Sequence, residues 1–261
     1  MSPDPYVIMP ADSYDEARPA EFDFTVLPGA GNVSGHPAPP GVNGYRALVS
    51  NGAPHFRVFG PLGGTPCGKR VKTSVTASAH NCKLATNGGP FDMATGKCNG
   101  GIFISEGKIE GTGGYNIQFG VTADGKWVIG NLVNASVAAQ LKVKWSMPGF
   151  QWLVRDGKNA MTSPDTYIAP RTTIGVTKEG KLLIMEVDGC EPHAGCKYTI
   201  GKTCFSMAEL LLAHGAYHAI NTDGGGSSSI VANGTVVNHP TDTDLWSVRK
   251  ERAVTMISCV V

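Results

Sequence analysis

An α+β fold, made mostly of antiparallel strands in a mixed sheet with few helices, is what this sequence predicts, and three observations predict it. Short apolar runs recur from Gly44 onward, each too short for a helix. Asp-Gly and Glu-Gly turn signals separate neighbouring runs, as hairpins require. Only one stretch carries a full set of helix start and stop signals. With 261 residues and 41% hydrophobic content, the chain can bury a substantial core, read here as a single disulfide-stabilised domain.

Taken in order, residues 1–43 are rich in Pro, Gly, Asp and Ala without periodicity, and read as an extended arm before a domain at 44–261. The strand candidates are His55–Phe59, Gly101–Ser105, Ile117–Val121, Lys126–Ile129, Trp152–Val154, Thr172–Val176 and Leu182–Val187. Glu106-Gly-Lys, Ala123-Asp-Gly-Lys, Asp156-Gly-Lys and Lys178-Glu-Gly-Lys supply the turns. A weak helical pattern covers Ala135–Leu141. The strong one has Ser206-Met-Ala-Glu209 as a capping box, with Phe205 and Leu210 as its hydrophobic staple and Gly215 at its end. It leads into a short apolar strand, Tyr217–Ile220.

The formal net charge is +1 with no long run of one sign, which argues against nucleic acid or a membrane surface as partner. No apolar stretch approaches the length of a membrane span. The N-terminus lacks the basic start and apolar centre of a signal peptide, so either the protein is not secreted or a leader has been left off. The cysteines favour the second option. Cys67, Cys82, Cys98, Cys190, Cys196, Cys204 and Cys259 are scattered, as structural disulfides of the secretory pathway or cell exterior are. An odd count leaves at least one unpaired or joined to another chain, which keeps a homo-oligomer open. Glycosylation sequons at Asn32, Asn134 and Asn233 add weak support.

The run after Tyr217–Ile220 is the strongest functional signal. Asn221-Thr-Asp223 is followed by Gly224, Gly225, Gly226, Ser227, Ser228 and Ser229. A hairpin turn needs one or two such residues; seven from Asp223 on build a site. The glycines let a ligand approach the backbone, and the N–H groups of Gly224–Ser227 can form an anion-binding concavity. Asp223 then sets a carboxylate beside a pocket suited to phosphate or sugar. The spacing matches neither a P-loop nor a nucleophile elbow.

Other candidates carry two readings each. Asn87, followed by Gly88, offers a donor and an acceptor to a sugar hydroxyl, or makes an Asn-Gly turn. Arg171 opens one strand and Asp188 ends its partner, as a surface ion pair or as an arginine clamp with a carboxylate at a pocket rim. Cys190, His193 and Cys196, with Cys204 nearby, have the makings of a zinc site, although a local Cys190–Cys196 disulfide is the plainer account. No metal or cofactor is expected.

Asn87-Gly-Gly, Arg171-Thr-Thr-Ile-Gly, Val187-Asp-Gly, Asn221-Thr-Asp-Gly-Gly-Gly-Ser and Glu251-Arg-Ala-Val together resemble the phosphodiester glycosidase family, in the same order and from about His55 to the C-terminus. The resemblance implies hydrolysis of a GlcNAc-α-1-phosphodiester on glycans or glycoproteins, exposing a phosphomonoester such as mannose 6-phosphate. It implies disulfides Cys67–Cys98 and Cys82–Cys259. For a phosphomonoester leaving group the site needs charge stabilisation and a carboxylate at the anomeric centre. That makes Asp223, then Asp188, and Arg171 the catalytic candidates, with substrate contacts expected from Asn87, Gly88, Asn221, Gly224–Ser228, Asp242 and Arg252. A non-catalytic sugar-phosphate-binding module, or a phosphodiesterase with metal held by Asp188, Asp223 and Asp242, are the competing readings. The animal members continue into further modules that have no counterpart in these residues, as expected of a piece of a longer protein or of a soluble relative.

Overall fold

In a computed structural model of the protein, the described residues form four sheets and three α-helices. The structure describes residues 6–31, 41–62, 67–98, 101–110, 117–132, 134–191, 200–242 and 248–261. Among these, every strand pair is antiparallel, and the one parallel pairing is an isolated bridge from Thr241 to Lys250. The expected mixed sheet is thus several antiparallel ones, built from hairpins such as Phe103–Ser105 with Lys108–Glu110 and Arg171–Thr177 with Leu182–Val187, and from antiparallel pairings between strands distant in sequence. At two of the expected turns, Glu106-Gly107 and Asp156-Gly157, both central residues have positive φ (51° and 77°, 53° and 67°). That is the backbone whose twist suits two-residue hairpins.

The seven-stranded sheet is the middle layer. Its order is Lys158–Asn159, Gln151–Arg155, Ala216–Asn221, Arg171–Thr177, Leu182–Val187, Asn43–Ser50, Glu21–Pro28. Side chains alternate between the faces of a strand, and here both faces are covered. On one, Tyr45, Ile174, Ile184 and Ile220 join Phe56, Phe119 and Trp127 from the other sheets. On the other, Leu183, Met185 and Val187 meet Met207 and Leu211 of the helix Cys204–Ala213. Arg171–Thr177 and Leu182–Val187 are consequently buried along their whole length. Within the first 43 residues, Tyr6–Pro10 joins the edge of the six-stranded sheet and Glu21–Pro28 the edge of the seven-stranded one.

The strong helix begins earlier than its sequence signals indicate. Thr203, not Ser206, is the N-cap, its hydroxyl accepting the Ser206 N–H at 3.0 Å. Asp165 accepts the Phe205 N–H at 2.9 Å, so two acceptors converge one turn upstream of the expected box. Phe205 therefore lies inside the helix, and Glu209 accepts from the Asn159 amide instead of closing a cap. The end is where glycine permits it, with Gly215 at φ 86° after His214. The weak pattern forms Ala135–Gln140, capped by the Asn134 side chain, whose Oδ1 accepts from the Val137 N–H at 3.1 Å.

Cys67–Cys98 and Cys82–Cys259 are disulfides. Cys190 is also disulfide-bonded, while Cys204 is a buried free thiol. Cys196, His193 and the sequon asparagine Asn32 lie outside the described residues. Asn233 is exposed at a turn, with φ 47°.

Candidate active site

The glycine loop is held by a brace from a distant part of the sequence. Asn87 is fully buried; its amide donates to the Asp223 carbonyl at 2.6 Å, and its side-chain oxygen accepts from the Thr172 hydroxyl and the Ser229 N–H. The Asp223 N–H donates to the Gly88 carbonyl at 3.0 Å. A second asparagine secures the far end. Asn238 accepts from the Ile230 N–H and donates to the Ser228 carbonyl, and its amide also reaches Glu186 and Asp188. Four of the loop's own N–H groups are spent inside the protein. Gly224 donates to the Asp223 carboxylate, Gly225 to the Pro170 carbonyl, and Ser227 and Ser228 to carbonyls within the loop. Guanidinium groups, more than backbone N–H groups, are what this site has to offer an anion.

Beside the loop lies a cavity of about 490 Å³. Of the residues singled out from the sequence, Arg171, Cys204, Asn221, Asp223, Gly224, Gly225 and Arg252 line it. Asn87, Gly88, Asp188, Gly226, Ser227, Ser228 and Asp242 are not part of its lining. Two of the glycines make room for charged side chains. A Cβ on Gly225, whose φ is 58°, would fall 2.6–2.7 Å from the carboxyl atoms of Glu191. A Cβ on Gly226 would come equally near the Arg252 guanidinium. Asp242 accepts from Arg252 Nε at 2.6 Å and so aims it, with Lys250 3.7 Å away. Arg171 is pinned by the Lys202 and Tyr167 carbonyls and lies over the Tyr167 ring.

Arg171 and Asp188 do not meet, for a reason of period. Arg171 is opposite Val187 in the ladder, so these two side chains share the helix-covered face. Asp188 is one residue on and points to the other face, where the His239 N–H and the Asn238 amide bond its Oδ1. Glu186 shares that face, directly across from Tyr45. Among the described residues, Asp188, Asp223 and Asp242 form no shared donor set for a metal.

Burial governs the electrostatics. Asp223 is pushed up to about 6 by burial, which outweighs the Ser227 side chain, the Arg252 charge and the Gly224 N–H, all of which favour the anion. The Glu191 charge adds to the rise. Asp188 is also raised to about 6 by burial, against the pull of the His239 N–H. Glu186, fully enclosed, is raised well above the usual carboxylate range by burial and by Asp188. Tyr45 beside them is pushed up to about 12, mainly by burial.

Sequence reading missed part of the wall. Phe150, Met161 and Tyr167 give the cavity an apolar side, and Asp165 and Glu191 two carboxylates besides Asp223. Tyr167 and Glu191 sit in irregular segments with no period to betray them, and Glu191 stands inside the stretch read for disulfide or zinc. Gln151, just before the strand read as Trp152–Val154, also lines the cavity and pairs directly opposite Asn221. Asn221, 4% exposed, lines the cavity, and its buried side-chain oxygen has no hydrogen-bond partner among the described residues.

The phosphodiester glycosidase family model matches residues 80–261. The N-acetylglucosamine-1-phosphodiester alpha-N-acetylglucosaminidase of Homo sapiens is 31% identical over 262 residues, covering 89% of this chain and 49% of that protein. Its Bos taurus counterpart is 32% identical over 229 residues, covering 78% and 42%. The chain thus spans about half the length of the curated relatives it matches. Among solved structures, the zebrafish catalytic domain of the same name, auto-inhibited by pro-peptide, matches with a TM-score of 0.82 and 27% identity, covering 98% of this chain and 87% of that one.

Proposed function

The chain belongs to the phosphodiester glycosidase family, and from that premise we propose that it removes terminal GlcNAc from a GlcNAc-α-1-phosphodiester, leaving a phosphomonoester such as mannose 6-phosphate on a glycan. The observation that carries this reading is a carboxylate and two guanidinium groups, Asp223, Arg171 and Arg252, on one cavity with an apolar wall.

Each part has a task that follows from the bond to be broken. The leaving group is a phosphomonoester, already stable as an anion, so it needs positive charge more than a proton. Arg252, aimed by Asp242, and Arg171, pinned by two carbonyls, supply that charge without moving. Asp223 faces the positive charge that builds on the anomeric carbon as the C–O bond lengthens. Phe150, Met161 and Tyr167 cover the apolar face of the sugar, and Asn221 borders it at the end of its strand. Asn87, Asn238 and Asp188 act from behind, by fixing the loop. The disulfides suit an oxidising compartment, so the protein works in the secretory pathway or outside the cell.

The test is GlcNAc-α-1-phospho-6-mannose incubated with the wild type and with Asp223→Asn, with free GlcNAc quantified. Release by the wild type, lost in a folded variant that still binds, is the expected result. A folded wild type that binds and releases nothing would make the protein a sugar-phosphate-binding module.

A further inference from the structure

Three carboxylates line the cavity, Asp165, Glu191 and Asp223. Asp165 is engaged by the Phe205 N–H at the start of the helix, and we propose that Glu191 is the general base that takes the proton from the attacking water. The inference rests on the hydrolase reading above. Its carboxyl group is seated against the Cα of Gly225, close enough that any Cβ there would collide with both oxygens. The Tyr167 hydroxyl donates to Glu191 Oε1 at 2.5 Å and fixes the head group's orientation. Asp223 is two residues from Gly225, and both carboxylates line the same cavity. Gly225 is thus the point on which one carboxylate rests and from which the other is spaced.

The division of labour follows from charge. Asp223 has to remain anionic while positive charge builds on the anomeric carbon; if it also took a proton from water it would lose the charge that stabilises that centre. A phosphomonoester departs without protonation, so a second carboxylate is not needed as an acid. What remains is the water. Its oxygen lone pair forms the bond to the anomeric carbon while the bond from that carbon to the phosphate oxygen breaks. The broken bond's electron pair leaves with the phosphate. The water's proton passes to Glu191 Oε2, because Tyr167 occupies Oε1, and from there to solvent. The products are GlcNAc and the phosphomonoester.

Glu191→Ala and Glu191→Gln in the full chain test this, with GlcNAc-α-1-phospho-6-mannose as substrate and sodium azide as a nucleophile that needs no base. Loss of a general base lowers kcat by about 10²–10⁴-fold with KM little changed. Azide is expected to restore turnover in Glu191→Ala and to appear in the product as GlcNAc azide. A folded Glu191→Ala whose kcat is within about tenfold of wild type overturns the proposal. So does a folded, inactive Glu191→Ala that forms no azide product, since a residue that only shapes the pocket has no reason to be replaced by a nucleophile. Should the alanine variant fail to fold, the isosteric Glu191→Gln carries the test through its split between kcat and KM. A wild type that releases no GlcNAc is a separate result, which removes the hydrolase reading itself.

Discussion

The side-chain amide of Asn87 donates to the main-chain carbonyl of Asp223 at 2.6 Å, across 136 residues of sequence. The same asparagine accepts from Thr172 and from the Ser229 N–H, so one buried side chain fixes both ends of the glycine loop and ties it to the central sheet. Asn87→Ala leaves three buried polar groups without their partner. Each such orphan costs about 1–3 kcal/mol. The variant is expected to lose stability by several kcal/mol in denaturant unfolding and to lose most GlcNAc release. A variant with wild-type unfolding and activity would show that the loop holds itself.

Gly225 faces two separate demands. Its φ of 58° lies in the left-handed region, which costs a residue with a Cβ about 1–2 kcal/mol. The Cβ would also displace the Glu191 carboxyl group. Gly225→Ala is therefore expected to reduce kcat by more than the modest drop in unfolding midpoint would account for. Steady-state kinetics and thermal unfolding on the same preparation separate the two; equal and small effects would mean that Glu191 has room to yield.

These two residues also show what the sequence could and could not display. The glycine run announces a site, since seven turn-forming residues in succession exceed what a turn needs. Asn87, by contrast, reads equally as a turn or as a ligand contact, because its partners are 85, 136 and 142 residues away. No local pattern encodes a bond of that span. Asp188 and Arg171 looked like neighbours from their strand positions, and only the register, with its period of two, sends them to opposite faces. Glu21–Pro28 was hidden for another reason. Its Phe22, Phe24 and Val26 alternate properly for a strand but stay exposed at a sheet edge, inside a segment whose Pro and Gly content reads as an arm.

The buried carboxyls set how stability varies with pH. Asp188 titrates at about 6 in the folded protein and near 3.8 when unfolded, so between those values the folded state holds the extra proton. That contribution is complete below pH 4 and is lost as pH rises through about 6. Two pKa units correspond to about 3 kcal/mol. Glu186, raised further, extends the loss to higher pH. The melting temperature is expected to climb as pH falls from 7.5 to 5. Glu186→Gln keeps the shape and removes the titration, so it is expected to be more stable than wild type at pH 7.5 and to show a shallower slope. A wild-type melting temperature that falls over that range would contradict the sign.

Activity is expected to run the other way with pH, and the contrast separates the loop's two faces. Asp223 stabilises the anomeric centre only as an anion, and its carboxyl is raised to about 6. Turnover per free enzyme, measured as kcat/KM, is therefore expected to fall tenfold per pH unit below about 6, while the fold becomes more stable over the same interval. Arg252 is the lever on that value, because its charge is among the influences that hold Asp223 down. Arg252→Met removes the charge and is expected to shift the acid limb of the profile to higher pH as well as to weaken phosphate binding. Conservative replacement by Lys keeps a positive charge but loses the fork that reaches Asp242 and Ser227 together. It is expected to restore the limb more fully than it restores KM. An acid limb that stays in place in Arg252→Met would mean that it does not report Asp223.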